Sequence, residues 1–374
     1  MKNKHFDLII IGGGINGVAI AEQASKLGKQ VVLFEKTVLG AGASSHTSKL
    51  AHGGLRYLES FEFGLVRESL EERDLLIKTY PDLVKPLPFI FPVYKASKRP
   101  LWQVKLGMTV YDFYSRKGQL PRHRSFTASQ LSSLAPDLKS TGLKGGVVYY
   151  DAQMDDLGLV LRLADIAKAH GATIIEHCPV SGFLYHNQRI SGVKVIQDGE
   201  TIEYEAPDIV NVSGPWSNDI LHMDSDTPTL AVGPTKGIHL IVPRFTADHA
   251  FILQAPQDNR IFFVMPYGQH TLIGTTDTIY QGDPDNVSVL PDDIQYLLGA
   301  ASFYFPEVNL VSSQVISTYC GLRPLVAATK KNASAISRDF VVSQSESGLW
   351  TMLGGKYTTH RLMAERLLTQ IGYF

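Results

Sequence analysis

The stretch "FDLIIIGGGINGVAIAEQASKLGKQVVLFE" (6–35) constrains the fold more than any other part of this chain. It runs from an Ile-rich apolar segment of strand length, through a glycine cluster, into a helix-like segment stopped by Gly28. A second apolar strand, "QVVLFE", then ends on Glu35. Continuous apolar runs of this kind are strands buried on both faces. Gly12, Gly14 and Gly17 stand in GxGxxG register. The first glycine of that register permits a tight turn, the second lets the backbone approach a pyrophosphate, and the third lets the helix lie close on the strand. The helix that opens at Ile15 and Asn16 offers N–H donors and the positive end of its dipole to a phosphate. Glu35, followed by Lys36, lies about 20 residues on, where a carboxylate holds ribose hydroxyls; it favours an unphosphorylated ribose, as in NAD or FAD. The motif leaves both open.

A nicotinamide-binding chain continues with regular βαβ units. This one departs into "TVLGAGASSHTSKLAHGGLRYLE", a long polar loop shaped to run along an extended bound cofactor. Further on, "FEFGLVRESLEERDLLIKTY" (61–80) reads as an amphipathic helix closed by Pro81, and 86–145 as irregular and proline-punctuated. "DDLGLVLRLADIAKAHGATIIE" reads as a helix, with Asp155 or Asp156 as its cap and Gly171 as its stop, followed by a strand. Residues 180–206 alternate as a small antiparallel meander, and "DIVNVSGPWS", with Gly214 in its tight turn, is another buried strand. From 231 to 320 short strands dominate, and the chain closes on a strand, the Gly354–Gly355 turn and a helix. The expected fold class is therefore α/β. A Rossmann-like nucleotide domain (1–85, 146–230 and 320–374) carries an inserted α+β substrate domain with an antiparallel sheet (86–145 and 231–319).

With 374 residues there is room for two domains, and 44% apolar against 19% charged residues is globular composition. A net charge of -1 gives no global field for nucleic acid. Two distant cysteines, Cys178 and Cys320, give no disulfide framework and fit a reducing, cytoplasmic setting. The N-terminal apolar run breaks into glycine too early for a signal peptide or a spanning helix, and no later run reaches about 20 apolar residues. The twelve histidines are scattered and no cluster has metal-ligand spacing.

"SKLAHGGLRYLE", "GPTKGIHLIVP", "LIGTTDTIYQGDP", "YCGLRPLV", "SRDFVV" and "GGKYTTHRLMAE" occur in that order. Together they resemble the signature segments of FAD-dependent glycerol-3-phosphate dehydrogenases, within the D-amino-acid-oxidase-like flavoproteins. The resemblance runs from residue 6 to about 366, and the chain reads as a short form without the family's further C-terminal helical domain. It departs from the family at His46, where Arg is frequent, and at His360, where Tyr is common. It implies FAD as cofactor. The implied reaction oxidises sn-glycerol 3-phosphate to dihydroxyacetone phosphate by hydride transfer to flavin N5, with a quinone or oxygen as electron acceptor. An oxidase or dehydrogenase of amino or 2-hydroxy acids, and a flavin-binding subunit without turnover, are the alternatives.

Three chemical needs follow from the implied reaction. For the dianionic phosphate, Arg323, Arg338 and Arg56 are the candidates, because a guanidinium fork matches phosphate geometry. For the proton, His239 is the candidate base; the other reading is a satisfied histidine on a sheet. Tyr57 orients substrate or is a half-buried aromatic, and Asp277 tunes a neighbouring base or arginine or merely forms a turn. For the flavin, Gly354 and Gly355 permit close approach, Lys356 adds charge there or at the substrate, and Thr358 is the expected N-cap of a helix aimed at the reduced ring. Ser44, Ser45 and Lys49 are expected along the pyrophosphate and ring path. Gly53 and Gly54 are expected to give clearance to the isoalloxazine, with His52 packing, bonding to the flavin or attached to it.

The segment 95–124 carries eight Lys/Arg and one acid, Asp112, around an apolar helix-like stretch. It is read either as a surface helix packed on one side or as a peripheral contact with an anionic membrane.

Overall fold

The computed structural model describes residues 4–58, 61–115, 118, 120–224, 230–246, 248–326 and 340–374, with the backbone alone at Arg56. A six-stranded sheet runs in the order Phe340–Gln344, Trp350–Gly354, Asp208–Asn211, Leu8–Ile11, Val31–Phe34 and Thr173–Ile175. Its neighbours are parallel except the first pair. Leu8, Ile9, Ile10, Val31, Val32 and Leu33 are fully buried, as continuous apolar runs require when both faces are covered.

Strand alternation divides these residues between two cores. Leu8, Ile10, Val31 and Leu33 pack with Ile20, Leu163 and Leu367 from the helices Ile15–Lys26, Asp156–Ala169 and His360–Ile371. Ile9, Ile11, Val32 and Phe34 pack with Phe183, Val193, Val195 and Tyr204. These last come from a separate four-stranded sheet, ordered Lys4–His5, Glu200–Glu205, Arg189–Gln197 and Val180–His186. The nucleotide-type unit is thus a three-layer stack of helices, parallel sheet and meander.

A ten-stranded sheet forms the other half of the molecule. Ser317–Arg323 pairs with Thr235–Pro243, which pairs in turn with His270–Gly274 and, along the same edge, Thr278–Ile279. Beyond lie Ile261–Tyr267, Ala250–Gln254, Val84–Tyr94 and Leu143–Met154, the last also pairing with Leu50–Ala51 and Arg124–Thr127. One face packs on the helix Pro291–Tyr304 through Leu297, Leu298 and Ala301. The other packs on Phe63–Thr79 and Leu101–Tyr114 through Val66, Leu70, Val104, Met108 and Tyr111.

Two expectations change here. The proline-punctuated stretch 86–145 is regular: it contributes the eleven-residue strand Val84–Tyr94, the helix Leu101–Tyr114 and the strand Arg124–Thr127. Pro86, Pro88 and Pro92 share one parity, so their missing donors fall on a single edge of the strand, and on its other edge the strand keeps its ladder with Leu143–Met154. The divisions drawn at 86, 146 and 320 fall inside Val84–Tyr94, Leu143–Met154 and Ser317–Arg323, which the large sheet keeps whole. Cys178 and Cys320 are free thiols.

Candidate active site

The strand Leu8–Ile11 ends in a turn whose Gly12 has φ of 114°, a conformation that glycine adopts at no steric cost. A Cβ on Gly17 would lie 1.9 Å from the Gly12 carbonyl oxygen, so this glycine serves helix–strand contact, as its place in the register implies. Gly14 is the N-cap of the following helix, with no side-chain cap bond and no acidic residue in the first turn. Ser44 Oγ accepts the Ile15 N–H at 2.9 Å. Glu35 is held by the Gly13 N–H on one carboxylate oxygen (2.7 Å) and by the Thr37 N–H on the other (2.9 Å).

From this turn a single cleft of about 1070 Å³ runs to the large sheet. Gly12, Gly14, Ile15, Asn16, Glu35, Lys36, Ser44 and Gly214 line it at the nucleotide side, and His52, Gly54, Tyr57, Gly354, Gly355, Lys356 and Thr358 along its length. His239, Asp277 and Arg323 line it at the sheet. Most of the expected residues are therefore brought to one cavity.

Several are not, or act differently. Lys49 is turned away from the cleft: its Nζ donates to Asp156 Oδ1 and to the Ser45 carbonyl, both at 2.6 Å, in a buried ion pair. Asp156 Oδ2 also accepts from the Thr47 hydroxyl at 2.7 Å, so Asp156 pins the loop, whereas Asp155 is the helix cap. Ser45 does not line the cleft; its hydroxyl is bonded to His46 Nδ1. The clearance at Gly53 is for protein rather than cofactor, since a Cβ there would lie 2.2 Å from Leu70 and 2.4 Å from the Tyr111 hydroxyl. Thr358 is not the N-cap of the last helix, which starts at His360 behind Thr359; its hydroxyl accepts the His52 N–H at 3.3 Å. Arg338 and the Arg56 side chain lie outside the described residues.

The turn 52–54 is held from three sides. The Gly54 N–H donates to His52 Nδ1 at 3.1 Å, which leaves the ring proton on Nε2. The Gly53 N–H donates to Asp151 Oδ1 at 3.1 Å. That oxygen also accepts from Arg73 Nη1 (2.7 Å) and the Tyr111 hydroxyl (2.8 Å). Arg73 and Asp151 are 0% and 2% exposed, and neither was legible as part of the site.

At the sheet, His239 is 2% exposed, and its ring stacks on Tyr319 at 4.7 Å. Gly274 faces it across the ladder, and a Cβ there would come within 2.1 Å of the ring. Its Nε2 is 2.9 Å from Ser48 Oγ, and its Nδ1 is buried and meets no partner among the described residues. Burial, then the charges of Arg323 and Lys49, hold His239 well below the usual histidine range, so it is neutral. Burial also pushes His360, behind the Gly354–Gly355 turn, down to about 4.

Arg323 donates to Asp277 Oδ1 at 2.9 Å and Thr275 Oγ1 at 3.1 Å. Arg260, which the sequence reading passed over, lines the cleft beside them and donates to the Asp277 carbonyl. Lys356 sits 3.8 Å over the Tyr57 ring and donates to Ser69 Oγ at 3.0 Å. Among the described residues no cluster of His, Cys, Asp and Glu can hold a metal.

A glycine turn opening one end of a long cleft, with guanidinium groups and a neutral histidine at the other, is the arrangement of a flavin-dependent oxidoreductase. The chain belongs to the DAO family of FAD dependent oxidoreductases, whose pattern matches residues 7–368. It is 38% identical over 370 residues to glycerol-3-phosphate dehydrogenase 2 of Mycobacterium tuberculosis (strain ATCC 25618 / H37Rv), covering 97% of this chain and 62% of that protein. It is 39% identical over 366 residues to D-erythritol 1-phosphate dehydrogenase of Brucella abortus (strain 2308), covering 96% of this chain and 72% of that one. Its fold matches the FAD complex of glycerol-3-phosphate dehydrogenase from Bacillus halodurans with a TM-score of 0.81 at 29% identity, over 99% of this chain and 65% of that one. The chain thus spans about three fifths of the mycobacterial relative's length. The residues present fit FAD: the Gly14 turn and an acid-free first helical turn for the pyrophosphate, Glu35 for the ribose, and the continuous cleft for the rest.

Proposed function

We propose that this chain oxidises sn-glycerol 3-phosphate to dihydroxyacetone phosphate. The observation that carries the reading is one cleft that joins the Gly12–Glu35 dinucleotide turn to Arg323, Arg260, Lys356 and the neutral His239. Bound FAD supplies the acceptor for the hydride that leaves the substrate carbon. Arg323 and Arg260 present guanidinium groups for the dianionic phosphate, with Asp277 holding both. Arg338 and Arg56 are proposed alongside them on the family resemblance, and Tyr57 and Lys356 bound the substrate end.

His239 takes the hydroxyl proton in this reading. The field of Arg323 lowers its proton affinity, and a phosphate dianion on Arg323 offsets that field, so the imidazole becomes a better base when substrate is seated. Among its relatives, the erythritol phosphate enzyme favours a second reading, a longer phosphorylated polyol in the same cleft. The test is anaerobic mixing of the yellow holoprotein with sn-glycerol 3-phosphate or D-erythritol 1-phosphate. Prompt bleaching of the flavin by the first is expected; a flavin that stays oxidised with both refutes the assignment.

The electron acceptor we propose is a quinone or oxygen, with the protein in the cytoplasm and peripheral at an anionic membrane through 95–124. No helix among the described residues is long and apolar enough to cross a membrane. The helix Leu101–Tyr114 buries Val104, Met108 and Tyr111 while Trp102, Leu106 and Phe113 stand exposed along its other side. Exposed Lys95, Lys98, Lys105, Arg122 and Arg124 flank it. Such a face gains from both apolar insertion and anionic headgroups. In a flotation assay the protein is expected to rise with anionic liposomes and not with neutral ones, and Trp102→Ser is expected to weaken it; equal behaviour on both lipids rejects the contact.

A further inference from the structure

The segment between the strand Thr278–Ile279 and the helix Pro291–Tyr304 leaves the large sheet, reaches the nucleotide side and returns. Its shape is fixed internally. Tyr280 bonds through its N–H to the Pro234 carbonyl at 3.0 Å and through its hydroxyl to the Asp283 carbonyl at 2.9 Å. The Asp283 carboxylate accepts from the Asp285 N–H at 2.9 Å and the Asn286 side chain at 2.7 Å. Its return is anchored by the buried Lys236, which donates to Asp293 Oδ2 at 2.6 Å and the Ser288 carbonyl at 3.3 Å.

At the tip, Asp285 Oδ1 lies 2.5 Å from Lys36 Nζ and accepts the Trp216 indole N–H at 2.9 Å. Lys36 itself sits 4.3 Å over the Trp216 ring. Lys36 follows Glu35, the ribose carboxylate, and the Trp216 ring backs onto Gly42, where a Cβ would come within 2.8 Å of it. Lys36, Gly42, Trp216, Pro284 and Asp285 all line the cleft. One carboxylate from the substrate sheet thus ties together two elements of the nucleotide unit, at the cofactor's dinucleotide end and far in sequence from them.

We propose that Asp285, with Lys36 and Trp216, forms a latch that retains the cofactor, closing a strap over the dinucleotide end of the cleft and limiting both entry and exit of FAD. This rests on the family assignment of FAD and not on the identity of the substrate. The tip is accessible, with Asp285 and Lys36 side chains 57% and 33% exposed, so the link is weak enough to open and is screened by salt. A plain contact residue slows exit alone; a latch on the path slows both directions.

The experiment follows flavin fluorescence during FAD release from the holoprotein, and during rebinding to the same chain, for wild type, Asp285→Ala and Trp216→Phe. Losing an exposed ion pair and a charge-assisted hydrogen bond is expected to speed release about tenfold in Asp285→Ala, with faster rebinding as well. Trp216→Phe, which keeps a ring and removes the donor, is expected to fall between. Added salt is expected to speed wild-type release and leave Asp285→Ala unchanged. Wild-type release rates in Asp285→Ala overturn the latch, and so does faster release with unchanged rebinding. No substrate enters the measurement, so its outcome is separate from that of the bleaching test.

Discussion

Arg323→Ala is expected to bind FAD and stay yellow, while sn-glycerol 3-phosphate at concentrations that bleach the wild type leaves it oxidised. Arg323 lies at the end of the strand Ser317–Arg323, far from Gly12 and Glu35 in sequence, and is locked by Asp277 and Thr275 so that its fork is oriented before substrate arrives. Removing one partner of a charge-assisted pair with a dianion costs about 4 kcal/mol, roughly a thousandfold in affinity. Asp277 then faces the phosphate with Arg260 as its nearby cation, which adds repulsion to the loss. Arg323→Lys keeps the charge without the fork and is expected to recover part of the affinity. Titrating the bleaching amplitude and rate against substrate separates these cases; an unchanged apparent affinity in Arg323→Ala removes Arg323 from the phosphate site.

Arg73→Met is expected to produce the largest loss of stability. Arg73 is wholly buried, and its guanidinium donates to Asp151, Asp74, Ser115 and the Tyr150 carbonyl. Breaking a buried pair by removing one partner leaves a desolvated charge behind, at a cost of about 3–5 kcal/mol. Asp151 would have to protonate or draw in water, and it is the group that holds the Gly53 N–H. Thermal unfolding monitored by circular dichroism is expected to move down by several degrees, with weakened flavin retention alongside. An Arg73→Met protein as stable as wild type would show that Tyr111 and Gly53 suffice to satisfy Asp151.

The contrast between what the sequence made legible and what it hid follows from how local each signal is. Gly12, Gly14, Gly17 and Glu35 lie within one βαβ unit, and their spacing carries their geometry. The meander 180–206 was legible for the same reason, since its turns and alternation sit within a few residues of each other. Val84–Tyr94 was hidden by prolines that break a ladder on one edge only, which composition cannot distinguish from an irregular loop. Lys49 and Gly53 stand in the segment expected along the cofactor, and Thr358 where a helix cap is expected. Their partners, Asp156, Leu70 with Tyr111, and the His52 N–H, come from distant positions. Arg260 and Asp285 carry no local mark: Arg260 becomes visible only when the large sheet brings it to Asp277, and Asp285 only when its segment reaches Lys36 of the nucleotide unit. His239 was legible as a residue type; its neutrality was not, because it depends on burial and on Arg323.

The strand order of the six-stranded sheet has a consequence for how the chain is made. Leu8–Ile11 and Val31–Phe34 are neighbours in sequence as well as in the sheet, so the two pair soon after both are made. The other neighbour of Leu8–Ile11 is Asp208–Asn211, and Trp350–Gly354, which flanks that strand, is made later still. At about 5–20 residues per second, the open apolar edge of the nascent nucleotide unit waits on the order of ten seconds or more for its partner. Until then that edge is a surface for chaperones or for misassembly, and the cofactor's turn is complete in sequence long before it is supported in space.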